Sequence, residues 1–207
     1  MLDLQNITSS KQALHQGRLN VFVFTLLTLV SLLFGQTTIF YLIYFFWCNE
    51  LINMIVDRIF YKKYTAVVEI HGYGSLFVMA IYGVFILVFF GLIANWKNND
   101  LIMVNLEILF LKNWFFNINL LFVLAERIYL HKTKQPMLLS FGSFTANMIV
   151  LHISIIVGGL LMFFVVKNHP TIFTSDNLWG SIIIILPFLL LIIAVNHYSK
   201  PNVNIKP

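Results

Sequence analysis

Charged residues are scarce in this sequence. Only 10% of its 207 residues carry a charge, whereas soluble globular chains carry about 25%. Hydrophobic residues make up 59% of the chain, and the mean hydropathy is +0.87. A soluble domain of this size could not cover its surface with so few charges, so most of that surface is predicted to face lipid. We expect residues 1–207 to form a single transmembrane domain.

Cysteine occurs once, and common catalytic motifs do not occur. Cys48 lies in an apolar run, so an intramolecular disulfide and a Cys-rich metal site are both excluded. There is no Walker loop, no GxGxxG, no HExxH and no GxSxG. Glu126 and Arg127 do not reproduce the paired glutamates of CAAX-processing intramembrane proteases. No motif therefore assigns the chain to an enzyme class.

Six apolar segments have roughly the 20 residues that a helix needs to cross the hydrocarbon of a bilayer. They cover about 19–34, 38–57, 71–94, 101–128, 138–166 and 177–195. Residues 1–18 lack the basic-then-apolar order of a signal peptide, so the first apolar segment is predicted to be a retained span. The sequence predicts an all-α bundle of six transmembrane helices.

Positive charge is concentrated on one side of this predicted bundle. Ten Lys and Arg residues share one side and two lie on the other, and the richer side is normally cytoplasmic. The ten are Lys11, Arg18, Arg58, Lys62, Lys63, Arg127, Lys132, Lys134, Lys200 and Lys206, and the two are Lys97 and Lys167. We therefore predict a cell-membrane protein with a cytoplasmic segment 1–18 and a cytoplasmic tail 196–207. The net charge of +5 is assigned to orientation and not to nucleic acid, because the basic residues lie in short loops.

Polar side chains within the spans are the candidates for function, because an ionised group there costs about 2.5–3.5 kcal/mol to insert. Counting from the predicted outer ends of the spans places four of them at one level, about 20–25 Å below the outer edge. The four are Glu50, Asn113, Asn117 and His152.

A second level of polar residues is predicted at the inner mouth of the bundle. His71, Asp57 and Glu126 belong to it, and for the two carboxylates a solvated rim is expected because basic residues lie beside them.

Glu50, His71 and His152 are the predicted ligands of a metal or proton site that Asn113 and Asn117 would line. Carboxylate and imidazole groups bind divalent zinc, iron or manganese, and a Glu–His pair can also pass a proton. In the alternative interpretation, the same groups form a hydrogen-bond cluster that only sets how the helices dock. Both interpretations place Glu50 and His152 in the bundle interior.

Three segments carry a resemblance to a family. They are Trp47-Cys48-Asn49-Glu50, His71-Gly72 at the start of the third span, and the stretch from Leu151-His152 to Gly158-Gly159 in the fifth. Together they resemble an uncharacterised prokaryotic family of six-span membrane proteins, over roughly residues 40–165. That family tends to have a further histidine where this chain has Asn113, and a Pro-Tyr and an Arg where it reads Phe144-Thr145-Ala146-Asn147. The resemblance implies a fold and no activity.

Two functions follow as hypotheses. The first is a non-enzymatic binding module or small subunit of a membrane assembly, in contact with lipid and with a membrane-protein partner or a second copy. The second is a membrane enzyme or a proton or ion carrier, with a divalent metal or a proton at the polar level. Convergence of Glu50 and His152 would favour the second hypothesis.

Overall fold

The computed structural model describes residues 22–60, 73–96, 98–133, 140–141, 144–169, 172 and 177–198. The predicted all-α fold is confirmed. The helices are α1 over Phe22–Leu33, α2 over Ile39–Phe60, α3 over Tyr73–Phe85, α4 over Asn99–Leu109, α5 over Trp114–Lys132, α6 over Ala146–Leu160 and α7 over Leu178–Tyr198. A two-residue antiparallel ladder, β1 (Ser140–Phe141) with β2 (Phe144–Thr145), precedes α6.

Four segments are long and apolar enough to cross a membrane: Ile39–Phe60, Gly74–Asn95, Asn99–Lys132 and Asn147–Val166. Two further apolar helices are shorter over their described parts, Phe22–Leu33 and Trp179–Val195. All six correspond to predicted spans, while a count of six crossings stays a prediction.

Helix α2 forms the centre of the bundle. Of its membrane-length window 67% is buried, against 28% for each of the other three segments. Aromatic rings line it, with centroids 5.1 Å apart for Phe40 and Tyr44 and 5.7 Å apart for Tyr44 and Trp47. Phe116 of α5 stacks on Tyr44 at 5.5 Å. The first ten residues of α2 are all apolar or aromatic, and a helix that is apolar all round is normally buried on every side.

Helix α3 continues as a π-helical segment, Ile86–Leu92, and a 3₁₀ turn, Ile93–Asn95. The π segment breaks the regular pattern of backbone hydrogen bonds, and within a membrane other groups must replace them. Asn105 of α4 does this: its Nδ2 donates to the carbonyl oxygens of Phe90 (3.3 Å) and Gly91 (3.2 Å). Its Oδ1 accepts a hydrogen bond of 2.8 Å from Thr38, beside the start of α2.

The predicted fourth span, 101–128, is not one straight helix. Helix α4 ends at Leu109, Leu111 has a left-handed φ of 55°, and α5 begins at Trp114. Eight residues separate Asn105 from Asn113, about 12 Å along a helix, yet their partners Thr38 and Gln36 are two residues apart. Helix α4 therefore advances little along the axis of α2 and lies across the end of the bundle that carries the α1–α2 turn. We call this the turn end, and the opposite end of α2 the Asp57 end.

The two adjacent glycines of α6, Gly158 and Gly159, provide a test of how α6 packs on α2. A Cβ on Gly158 would lie 2.5 Å from Ile43 Cδ1 and 3.1 Å from Phe90 Cε1, whereas a Cβ on Gly159 would meet nothing within 4 Å. We expect Gly158→Ala to destabilise the protein by about 1–3 kcal/mol through overpacking. Gly159→Ala should be neutral or stabilising, because alanine is the better helix former. Equilibrium unfolding of both variants in detergent measures this, and equal effects would contradict the described packing of α6 on α2.

Candidate polar site on α2

Three polar residues line one face of α2 towards its Asp57 end. Glu50, Asn53 and Asp57 are spaced three and four residues apart, which places them on one helical face. All three are buried, with 1%, 9% and 4% of their surface exposed. We call this set the α2 polar face. It joins the predicted mid-membrane level to the predicted inner mouth.

Glu50 lies at the start of α6. The Thr145 hydroxyl donates a hydrogen bond of 2.7 Å to Glu50 Oε1. The same hydroxyl oxygen accepts a bond of 3.0 Å from the Met148 backbone N–H and thereby caps α6. The amino-terminal end of a helix carries a partial positive charge, which stabilises a neighbouring carboxylate. One threonine therefore connects the carboxylate to the helix end.

The contact also shows where α6 begins relative to α2. Glu50 is ten residues before the end of α2 at Phe60, so α6 begins about 15 Å short of that end. The ladder of β1 and β2 lies immediately before this point. Non-helical backbone at membrane depth is tolerated only inside protein or along a watered cavity. The start of α6 is thus a position where the chain changes from irregular to helical backbone beside a buried carboxylate.

Asp57 forms a second cluster with two residues of α5. Arg127 binds its carboxylate with two nitrogens, Nε to Oδ1 at 2.7 Å and Nη2 to Oδ2, in the bidentate geometry that favours this ion pair. His131 Nε2 lies 2.8 Å from Oδ1, and the His131 ring stacks on Phe60 with centroids 5.2 Å apart. Asp57 and His131 are each 4% exposed. The expectation of a solvated rim at Asp57 is therefore wrong, because α5 covers the carboxylate.

His152 does not face the bundle interior, and that prediction is wrong. Its side chain is exposed on the flank of the bundle, and its Nδ1 lies 2.8 Å from the hydroxyl of Tyr82 on α3. It is seven residues beyond Thr145, so it lies about 10 Å along α6 from the partner of Glu50. The buried face of α6 instead presents Leu151 and Ser154. Glu50 and His152 therefore do not converge on one ion.

The predicted lining residues Asn113 and Asn117 lie at the turn end and not at the level of Glu50. Asn113 caps α5 through Phe116 N (2.9 Å), and its Nδ2 lies 3.4 Å from the Gln36 carbonyl in the α1–α2 turn. Asn117 donates to the Leu111 carbonyl at 2.6 Å. The predicted depth was wrong because it assumed a straight helix from Asp100.

The described residues do not form the divalent-metal site that Glu50, His71 and His152 were predicted to make. His71 lies outside them. Among the residues that the structure describes, no three His, Cys, Asp or Glu side chains are grouped so that they could hold a metal ion. Among the described contacts, Glu50 Oε1 accepts a hydrogen bond from the hydroxyl of Thr145 at the start of α6.

Sequence reasoning missed the partners that complete these sites. Thr145 is the cap of α6, and a threonine directly before an apolar helical run is a sequence signal for that role. Arg127 and His131 are four residues apart, a spacing that places both on one helical face. Tyr82 gave no such signal, since one tyrosine among many aromatic residues has no distinctive spacing.

Comparison of the chain with family models, with curated proteins and with solved structures gives no match. The resemblance to the prokaryotic six-span family therefore stays a prediction.

The Asp57 cluster predicts a large loss of stability when one partner is removed. Arg127→Met leaves a buried carboxylate without its guanidinium, and we expect a loss of about 3 kcal/mol in the free energy of unfolding. Lys132→Met is the matched control on the same helix, because Lys132 is exposed, and it should change stability by less than about 0.5 kcal/mol. The double variant Asp57→Asn/Arg127→Met should recover part of the loss. Equal unfolding midpoints for the two single variants would show that the pair contributes nothing.

Proposed function

We propose that this chain is a six-span protein of the cell membrane, with both termini in the cytoplasm, that binds and releases protons at Glu50. One observation carries the proposal: a carboxylate with 1% of its surface exposed is hydrogen-bonded at the start of a helix within the bundle. Burial penalises the ionised carboxylate. The hydroxyl of Thr145 and the dipole of α6 favour it. The site therefore offers a favourable surrounding to each form of the group: an apolar interior for the neutral acid, and a hydroxyl and a helix end for the anion.

The α2 polar face provides the proposed route for protons to and from Glu50. Asp57 lies seven residues from Glu50 on the same face, about 10 Å away along the helix, with buried Asn53 between them. Asn53 donates a hydrogen bond of 3.2 Å to Asn49. Protons would pass between Glu50 and the Asp57 end along this face, with water bridging the groups. In secondary transporters, the amino-terminal ends of broken helices likewise point at anionic groups, those of the substrate.

A non-enzymatic subunit of a membrane assembly is the second candidate function. The observation that favours it is the exposed His152–Tyr82 pair on the flank of α6 and α3. Polar groups that face lipid are rare in spans and are normally covered by another helix. The two candidates involve different faces of the molecule, so both can hold for one protein.

Glu50→Gln tests the proton proposal, and Glu107→Gln is the matched control because Glu107 is exposed on α4. Purified chain is reconstituted into vesicles that contain a pH-sensitive dye, and a potassium gradient with valinomycin drives proton movement. We expect flux in the wild type and in Glu107→Gln, and its loss in Glu50→Gln, because an amide cannot take up the proton. Infrared difference spectra across a pH titration should show a carboxyl band that only Glu50→Gln removes. The proposal would be refuted if Glu50→Gln changed neither the proton flux nor the carboxyl band.

Cysteine labelling tests the proposed orientation. Single cysteines are placed at Asn98 and at Thr133 in a Cys48→Ala background. A reagent that cannot cross the membrane should label the Asn98 position alone in intact cells, because positive charge keeps the Thr133 end inside. Labelling at the Thr133 position in intact cells would overturn the proposed topology.

A further inference from the structure

The flank of α6 carries a polar pair that the proton site does not use. His152 and Tyr82 are hydrogen-bonded to each other, and among the described residues neither has another hydrogen-bond partner. His152 lies within the apolar segment Asn147–Val166, five residues from its start and fourteen from its end. Those separations are about 8 Å and 21 Å. In the proposed six-span arrangement, these separations place His152 at the depth of the hydrocarbon and not among the lipid headgroups.

The hydrogen-bonding capacity of this pair is self-complementary. If the tyrosine hydroxyl donates to Nδ1, the outward Nε2 bears the proton and is a donor, while the tyrosine oxygen can still accept. If Nδ1 donates instead, Nε2 is an acceptor and the tyrosine hydroxyl is a donor. In either tautomer the pair presents one remaining donor and one remaining acceptor. A second, identical pair related by a two-fold axis supplies the acceptor and the donor that are needed.

The surface beside the pair permits close approach of another helix. Ile156, Gly159 and Phe163 follow His152 at intervals of three and four residues, so they extend the same face of α6. Ile156 and Phe163 are 51% and 53% exposed, and the space in front of Gly159 is open. We call His152, Ile156, Gly159 and Phe163 the α6 flank.

We propose that the α6 flank is the contact between two copies of this chain, with His152 of each copy hydrogen-bonded to Tyr82 of the other. A two-fold contact is isologous, so the same patch serves both copies, and two reciprocal bonds form across it. The contact removes the imidazole and the phenol from hydrocarbon without a second kind of partner. The inference gives the second candidate function a specific partner, and it is independent of proton binding at Glu50.

Disulfide cross-linking in native membranes tests the contact. Ile156→Cys in a Cys48→Ala background places a thiol at the centre of the α6 flank, where an oxidant should join two copies. Leu186→Cys is the matched control, because Leu186 is also 51% exposed but lies on α7. We expect a cross-linked dimer from the first variant alone. Equal cross-linking of both variants, or of neither, would overturn the proposal.

A second experiment tests the two reciprocal hydrogen bonds between His152 and Tyr82. It measures association in lipid vesicles by energy transfer between labelled copies at graded dilution. His152→Phe and Tyr82→Phe keep a ring and remove one reciprocal partner, and each should weaken the dimer by about tenfold. His152 is exposed and Tyr82 is half-buried, so thermal unfolding of each variant checks that the fold is kept. Glu50→Gln should leave association unchanged, so failure of the proton proposal does not affect this result. The proposal is contradicted if both Phe variants associate as strongly as the wild type. It is also contradicted if the wild type is monomeric and retains from the membrane an amphiphile that bears a carbonyl group.

Discussion

The hydrogen bond between the Thr145 hydroxyl and the Glu50 carboxylate joins α2, the most buried of the four membrane-length segments, to the start of α6. It fixes the level of α6 along α2, because the cap residue and the carboxylate can meet only in one register. In that register Gly158 lies against Ile43, where no larger residue fits without displacement. On its flank, α6 contacts α3 through the hydrogen bond between His152 and Tyr82. The packing of α6 on α2 thus depends on how α2 accommodates one carboxylate.

Helix α2 buries two carboxylates, and their described partners differ. Asp57 is neutralised by the bidentate Arg127 and contacts His131, so its charge is held by a complete set of partners. The described contacts of Glu50 include a threonine hydroxyl at the start of a helix. Two titratable groups whose environments differ in this way are suited to different tasks. Asp57 holds α2 to α5, and Glu50 is the group that we propose to exchange protons.

The fold class and the buried carboxylate were predictable, whereas the relative levels of the polar residues were not. Low charge and long apolar runs predict a membrane bundle, because nothing else accommodates them. The depth of Asn113 was wrong because the count assumed a continuous helix, and the turn at Leu111 is formed by a non-glycine residue that gives no sequence signal. His152 was misplaced because the rule that polar residues face inward ignores a tyrosine on the neighbouring helix. Periodicity predicts faces, but tertiary contacts determine which neighbour each face meets.

A double-mutant cycle between Glu50 and Thr145 measures the interaction on which this account depends. Glu50→Leu, Thr145→Val and the double variant are unfolded at equilibrium in the same detergent, and the coupling free energy is taken from the four stabilities. We expect a coupling of at least about 1 kcal/mol, because the hydroxyl bonds a carboxylate in a buried site. The loss of the α6 cap in Thr145→Val cancels in the cycle. If the two substitutions are additive and the coupling free energy is indistinguishable from zero, Glu50 does not stabilise the start of α6, which would contradict the central claim.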